Sequence, residues 1–276
     1  MSFIEKLHTA QQQRDSWLCI GLDPTADQIP SNLDVLTFSK RIVDATLDYV
    51  CAYKPSLAFY LAWGPDGIHA LQEVIAYIPP EIPVILDAKF GDIDYAAGHY
   101  ARAAFEMLGA DAVTVSPYVG MDAVTPLLRY EGKMVFVLVR SANTTGNDFQ
   151  LWPNDSSPLF RYVTAQLNTL ADKYPDQIGL GVAATQARDL GRIRCWAPSL
   201  PFLIPGLGAQ GGDLNTSVEQ GLSRDGTGPL LSVTRSIIYA STGDDFAEAA
   251  RQAAHDWSQR IRLTRAGHPT PSGQER

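Results

Sequence analysis

Eight short apolar runs, separated by stretches of helical character, constrain the fold of this chain more than any other feature. They are Trp17 to Leu22, Ala52 to Leu57, Val84 to Ala88, Ala112 to Ser116, Met134 to Val139, Ile178 to Ala183, Phe202 to Ile204 and Leu230 to Val233. The third, entered through Ile82-Pro83-Val84-Ile85-Leu86, is continuous rather than alternating in polarity, as a parallel strand covered on both faces must be. Between the runs, Phe38 to Val50, Tyr95 to Leu108, Leu159 to Ala171 and Asp245 to Arg260 carry helix formers with apolar residues three to four apart. Regular alternation of this kind predicts an α/β protein of the (β/α)8 TIM-barrel type, with about eight β/α units in one domain over residues 1–265. An open doubly wound sheet is the alternative, but no G-x-G-x-x-G follows the first run. Residues 266–276, rich in Pro, Gly and Ser, read as a flexible tail.

Composition narrows the setting. The chain has 276 residues, 45% of them hydrophobic, and no apolar run near 18 residues, so a soluble protein with no membrane contact is expected. Met1 to Arg14 is polar, with no apolar signal segment. The three cysteines, Cys19, Cys51 and Cys195, have neither metal-site spacing nor an even count, so a cytoplasmic location is expected. A net charge of −8 argues against nucleic acid as a partner, and any anionic ligand must be held by a local positive site.

In a barrel of this kind function sits where the strands end, because the βα loops build the site. The ionisable residues obey that rule. Asp23 closes the first run in Gly21-Leu22-Asp23-Pro24, and Lys54 sits in the second in Tyr53-Lys54-Pro55-Ser56. The third ends in Asp87-Ala88-Lys89-Phe90-Gly91-Asp92. In a strand Asp87 and Lys89 point to the same side. An ammonium between two carboxylates relieves their repulsion, each opposite pair gaining about 4 kcal/mol at 4 Å and an effective dielectric near 20. Structural ion pairs at strand ends have the same appearance, and it is the grouping of four charged residues on three consecutive strands that points to a site. The last two strands carry a different chemistry. Pro205-Gly206-Leu207-Gly208-Ala209-Gln210-Gly211-Gly212 is a glycine-rich turn, and Thr234-Arg235-Ser236-Ile237 follows the eighth run. Loops after strands seven and eight form the common phosphate site of such barrels, from backbone N–H groups and an arginine clamp.

Taken in order, Gly21 to Pro24, Tyr53-Lys54-Pro55, Leu86 to Ile93, Pro205 to Asp213 and Thr234 to Ile237 resemble the orotidine 5'-phosphate decarboxylase family in its longer bacterial form. The resemblance covers about residues 20 to 240 and implies a homodimer with active sites at the subunit interface. It implies conversion of orotidine 5'-monophosphate (OMP) to UMP and CO2, the last step of de novo UMP synthesis, with no metal and no cofactor. By the same resemblance Lys54, Asp87, Lys89 and Asp92 of the other subunit form a charged array, with Lys89 as proton donor. Asp23 and Lys54 hold the ribose, and Ile93 packs at the shared site. Gln210 bridges pyrimidine and phosphate, while Arg235, with Gly206, Ser236 and neighbouring amides, grips the phosphate.

Two positions depart from the family pattern. A serine that reads the pyrimidine in the fifth-strand loop aligns with Ala142, which leaves the adjacent Ser141 as the candidate. A threonine that contacts the ribose of the other subunit aligns with Ala96, beside Tyr95. Val139 to Phe149 is the candidate lid. Ser116-Pro117-Tyr118 either shapes the pyrimidine pocket or is an ordinary turn, and His99 reads as a surface or interface residue. Two other readings stand beside the decarboxylase: a Mg-dependent sugar-phosphate decarboxylase or aldolase of the same superfamily, and a non-catalytic nucleotide-binding barrel.

Overall fold

The structure, a computed structural model, describes residues 1–267. Strands β1 (Leu18–Leu22), β2 (Ala52–Pro55), β3 (Ile85–Phe90), β4 (Ala112–Val115), β5 (Met134–Arg140), β6 (Ile178–Val182), β7 (Phe202–Pro205) and β8 (Leu230–Val233) form one sheet. Its order is β2-β1-β8-β7-β6-β5-β4-β3, with every pairing parallel. Parallel bridges Tyr53–Val84 and Ser56–Asp87 join β2 to β3 and complete the ring, so the expected (β/α)8 barrel is the observed fold.

Helix α1 (Phe3–Arg14) precedes the barrel, and α2 (Val35–Thr46) follows β1. After β2 come α3 (Leu57–Leu61) and α4 (Gly64–Tyr77), and after β3 comes α5 (Asp94–Arg102). Helices α6 (Asn147–Gln150) and α7 (Leu159–Ala171) follow β5, α8 (Ala187–Trp196) follows β6, and α9 (Leu214–Gly221) follows β7. Helices α10 (Arg235–Ile238) and α11 (Phe246–Gly267) close the chain after β8. The regular alternation breaks once. Between β4 and β5 lie two 3₁₀ turns, Met121–Ala123 and Leu127–Arg129, in place of an α-helix. Pro117 and Pro126 lack the N–H a helix needs, and Gly120 turns the chain at φ +125°. Of the tail expected from Ala266, Ala266 and Gly267 are the last residues of α11, and positions 268–276 lie outside the described residues.

The barrel interior is filled by side chains that the strands point inward. Phe136 on β5 is fully buried and occupies the space over Gly179 on β6, where a Cβ would lie 2.4 Å from the ring. Any larger residue at 179 would expel a side chain worth about 2 to 3 kcal/mol of burial. The far side of that ring meets Phe3 of α1 edge-on at 5.6 Å. A capping box at Ser2 and Glu5 starts α1, and Lys6 pairs with Asp111 at 2.8 Å. With Phe3 N–H donating to the Gly132 carbonyl and Gln11 to that of Gly228, α1 packs on residues that precede β5 and β8 and leaves the opposite mouth to the βα loops.

Candidate active site

That opposite mouth holds a cavity of about 740 Å³, and the candidate residues enter it from the strand ends. Asp23, Lys54, Asp87 and Lys89 line one side of it. Gly206, Gln210 and Arg235 line another, and Ser141 lies with Ala142 and Asn143 along the β5 loop.

Asp87 is the hub. Its Oδ2 accepts from Lys54 Nζ at 2.7 Å and its Oδ1 from Lys89 Nζ at 2.5 Å. The two lysines differ in setting: the Lys54 side chain is 5% exposed, Asp87 13% and Lys89 54%. The buried lysine therefore anchors the carboxylate while the exposed one keeps an open path to a ligand. Burial pushes the Asp87 carboxyl up, but Lys54 and Lys89 outweigh it and hold it well below the usual carboxylate range. Burial pulls the Lys54 ammonium down, and Asp87 with Asp23 more than reverses that, so it stays charged. Asp23 has its pKa raised, chiefly by burial, with Lys54 opposing. Its Oδ1 is buried with no hydrogen-bond partner among the described residues, as suits a carboxylate that can take a ligand donor.

The meeting of Asp87 and Lys89 does not come from simple alternation along β3. Leu86 pairs with Val113 and Phe90 with Val115, so four steps on β3 oppose two on β4. This bulge puts Lys89 in the left-handed region at φ +50° and re-aims its side chain. Strand-pattern reasoning placed the pair on one side correctly but gave no sign of the bulge.

Across the mouth, Gly206 at φ +101° turns the chain out of β7, a conformation that favours glycine. The Gln210 side chain folds over it, with Oε1 3.2 Å from where a Cβ on Gly206 would sit. The loop is closed by Gly212 N–H donating to the Gly206 carbonyl and Gly211 N–H to that of Gly208. Arg235 is the first residue of α10. Ser236 is not brought into the mouth: it packs behind Gly208 and borders a separate outer cleft beside α11. Any contact it makes with a ligand in the mouth must come from its backbone.

Two further candidates are not joined to this cavity within one chain. Ile93 is exposed and Asp92 half-buried, and Asp92 Oδ1 accepts from the Ile93 N–H at 2.8 Å. Ser141 does reach the cavity, but its hydroxyl accepts from Gln150 Nε2 at 2.8 Å while its N–H donates to Gln150 Oε1 at 3.0 Å. The Ser141 side chain is thus turned toward Gln150 at the end of α6. His99 is exposed and meets Tyr95 edge-on at 5.1 Å, as a surface residue does.

Three positioning residues escaped the sequence reading. Arg140, 3% exposed at the end of β5, donates to Asp189, Gln150, Asn147 and Gln186, and so ties α6 and α8 to the cavity loop. A lone arginine closing the apolar run Met134 to Val139 was the available signal. Tyr239 donates to the Asp23 carbonyl at 2.7 Å and accepts from Thr25 N–H at 2.8 Å, and it carries no sequence signature. The third is Thr114 on β4, whose hydroxyl donates to Asp87 Oδ1 at 2.9 Å.

A parallel (β/α)8 barrel with a lysine–aspartate–lysine cluster on one side of its mouth and a glycine-rich turn with an arginine on the other defines a class of small-molecule barrel enzymes acting on anionic ligands. Within that class the relationship is specific. The family model of the orotidine 5'-phosphate decarboxylase / HUMPS family matches residues 16–253. An orotidine 5'-phosphate decarboxylase of Janthinobacterium sp. is 45% identical over 92% of this chain and 96% of its own. Another, of Thermomicrobium roseum, is 45% identical over 97% of this chain and 98% of its own. The solved structure of Leishmania donovani OMP decarboxylase superposes with a TM-score of 0.83 at 37% identity, covering 96% of this chain and 98% of that one. The chain belongs to the orotidine 5'-phosphate decarboxylase / HUMPS family.

Proposed function

We propose that this protein decarboxylates OMP to UMP and CO2 and thereby completes de novo UMP synthesis in the cytoplasm. The observation that carries the reading is Asp87 held between Lys54 and Lys89 at the barrel mouth, opposite the Gly206 to Gln210 turn and Arg235. Breaking the C6–carboxylate bond leaves the electron pair on C6, in an orbital with little delocalisation. A preorganised cation is needed where that charge develops. Lys89 is that cation, and its Nζ then gives C6 a proton as CO2 departs. Asp87 keeps Lys89 aimed, and Lys54 keeps Asp87 in place. Asp23 takes a ribose hydroxyl on its unpartnered oxygen. Gln210, Arg235 and the amides of the β7 and β8 loops hold the phosphate, whose binding energy helps close the Val139 to Phe149 lid.

Asp92 and Ile93 act in the site of a second subunit of a homodimer. In support, Ile93 is exposed on its own chain, and so are the neighbouring Tyr95 and Tyr118, giving the face beside Asp92 an apolar character suited to burial.

The sugar-phosphate alternative requires a divalent cation held by acidic ligands. Among the described residues no three His, Cys, Asp or Glu side chains group as metal ligands do. The two readings separate in one assay. Ultraviolet absorbance of purified protein with OMP is expected to show conversion to UMP at the same rate with EDTA as without it. Failure to convert OMP, together with Mg-dependent turnover of a hexulose or ketogulonate phosphate, would reverse the assignment.

A further inference from the structure

The bulge in β3 creates a problem that one side chain on β4 solves. Because four residue steps on β3 oppose two on β4, the N–H groups of Ala88 and Lys89 lose their places in the strand ladder. Both donate instead to Thr114 Oγ1, at 3.0 and 2.9 Å. A hydroxyl has two lone pairs and one proton, and here the lone pairs are taken by the bulge. The proton is left with one place to go, Asp87 Oδ1 at 2.9 Å. The same carboxylate oxygen accepts from Lys89 Nζ. Thr114 is 7% exposed, so water does not readily replace it.

We infer that Thr114 is a positioning residue that sets the aim of Lys89 in two ways: it fixes the left-handed backbone from which the side chain leaves, and it orients the carboxylate on which the ammonium rests. The inference deepens the decarboxylase reading and rests on it for its kinetic consequence, while its structural content stands alone. Valine at 114 keeps the shape and removes the hydroxyl, which frees Asp87 Oδ1 and leaves two N–H groups without an acceptor. Serine keeps all three hydrogen bonds.

The test compares wild type, Thr114→Val and Thr114→Ser by two readouts. The first is independent of turnover: the rate at which a small amine-acylating reagent modifies Lys89, followed by peptide mass spectrometry and normalised to the exposed Lys173. Lys89 is expected to be modified several-fold faster in Thr114→Val and at the wild-type rate in Thr114→Ser. The second is OMP turnover. In Thr114→Val, kcat is expected to fall about 10- to 100-fold with KM and UMP affinity nearly unchanged, since a displacement of about 1 Å costs on that order. Thr114→Ser should restore kcat. A merely structural role would lower the melting temperature and the active fraction while leaving kcat per folded site intact. Unchanged Lys89 labelling in folded Thr114→Val, or serine no better than valine, would overturn the inference. If wild type fails to turn over OMP while the labelling difference holds, the positioning role stands and the decarboxylase reading falls. Should valine not be recovered folded, Thr114→Cys, with a weak donor and acceptor of similar size, carries the same expectation.

Discussion

Replacing Lys89 by alanine is expected to reduce OMP turnover by at least about 10⁴-fold, close to 5.5 kcal/mol of barrier, while UMP affinity stays near that of wild type. Two losses combine. A positioned proton donor contributes about 10² to 10⁴, and a preorganised charge at the developing anion about 10² to 10³. Folding should tolerate the change, because the Lys89 side chain is half exposed and Asp87 keeps its bond from buried Lys54. UMP affinity should be spared if, as proposed, the phosphate is held from the β7 and β8 loops. Steady-state kinetics paired with calorimetric titration of UMP check both halves. Turnover within tenfold of wild type would remove Lys89 from the proton-donor role, and a parallel loss of UMP binding would make its role one of affinity.

The second large effect concerns two inactive proteins that should regain activity when mixed. If Asp92 serves the neighbouring subunit, Lys89→Ala and Asp92→Ala homodimers each lack one part at both sites. A hybrid has one site with neither part and one with both. Random reassociation makes half the dimers hybrid, so about a quarter of wild-type activity is expected, far above either parent. Subunit exchange is verified by differential tagging. Verified hybrids with no recovery would place Asp92 in its own chain's site or outside catalysis.

The barrel and most of the mouth could be read from the sequence because both depend on local patterns. The eight runs mark buried parallel strands, and a barrel strand delivers its last polar residues to one end. Asp23, Lys54, Asp87 and Lys89 were therefore legible together, as were Gly206, Gln210 and Arg235 facing them. What stayed hidden depends on register or on contacts between distant segments. The bulge arises from how β3 meets β4, and neither strand announces it alone. Thr114 looks like any β-branched residue in a strand until that register is known. Tyr239 meets Asp23 from 216 positions away. Ser236 was grouped with Arg235 because the two are adjacent, but the turn into α10 sends its side chain behind Gly208. The helix missing after β4 was concealed by the regularity of its neighbours, although its prolines and glycine were in plain view.

A crystal structure of the protein with UMP bound tests the central claim most directly. The prediction is a dimer in which Lys89 Nζ lies about 3 to 3.5 Å from C6 of the uracil, close enough for proton transfer. Gln210 and Arg235 should hold the phosphate, Asp23 a ribose hydroxyl, and Asp92 should enter from the other subunit. UMP seated with C6 remote from Lys89, or a site completed by a single chain, would contradict the account.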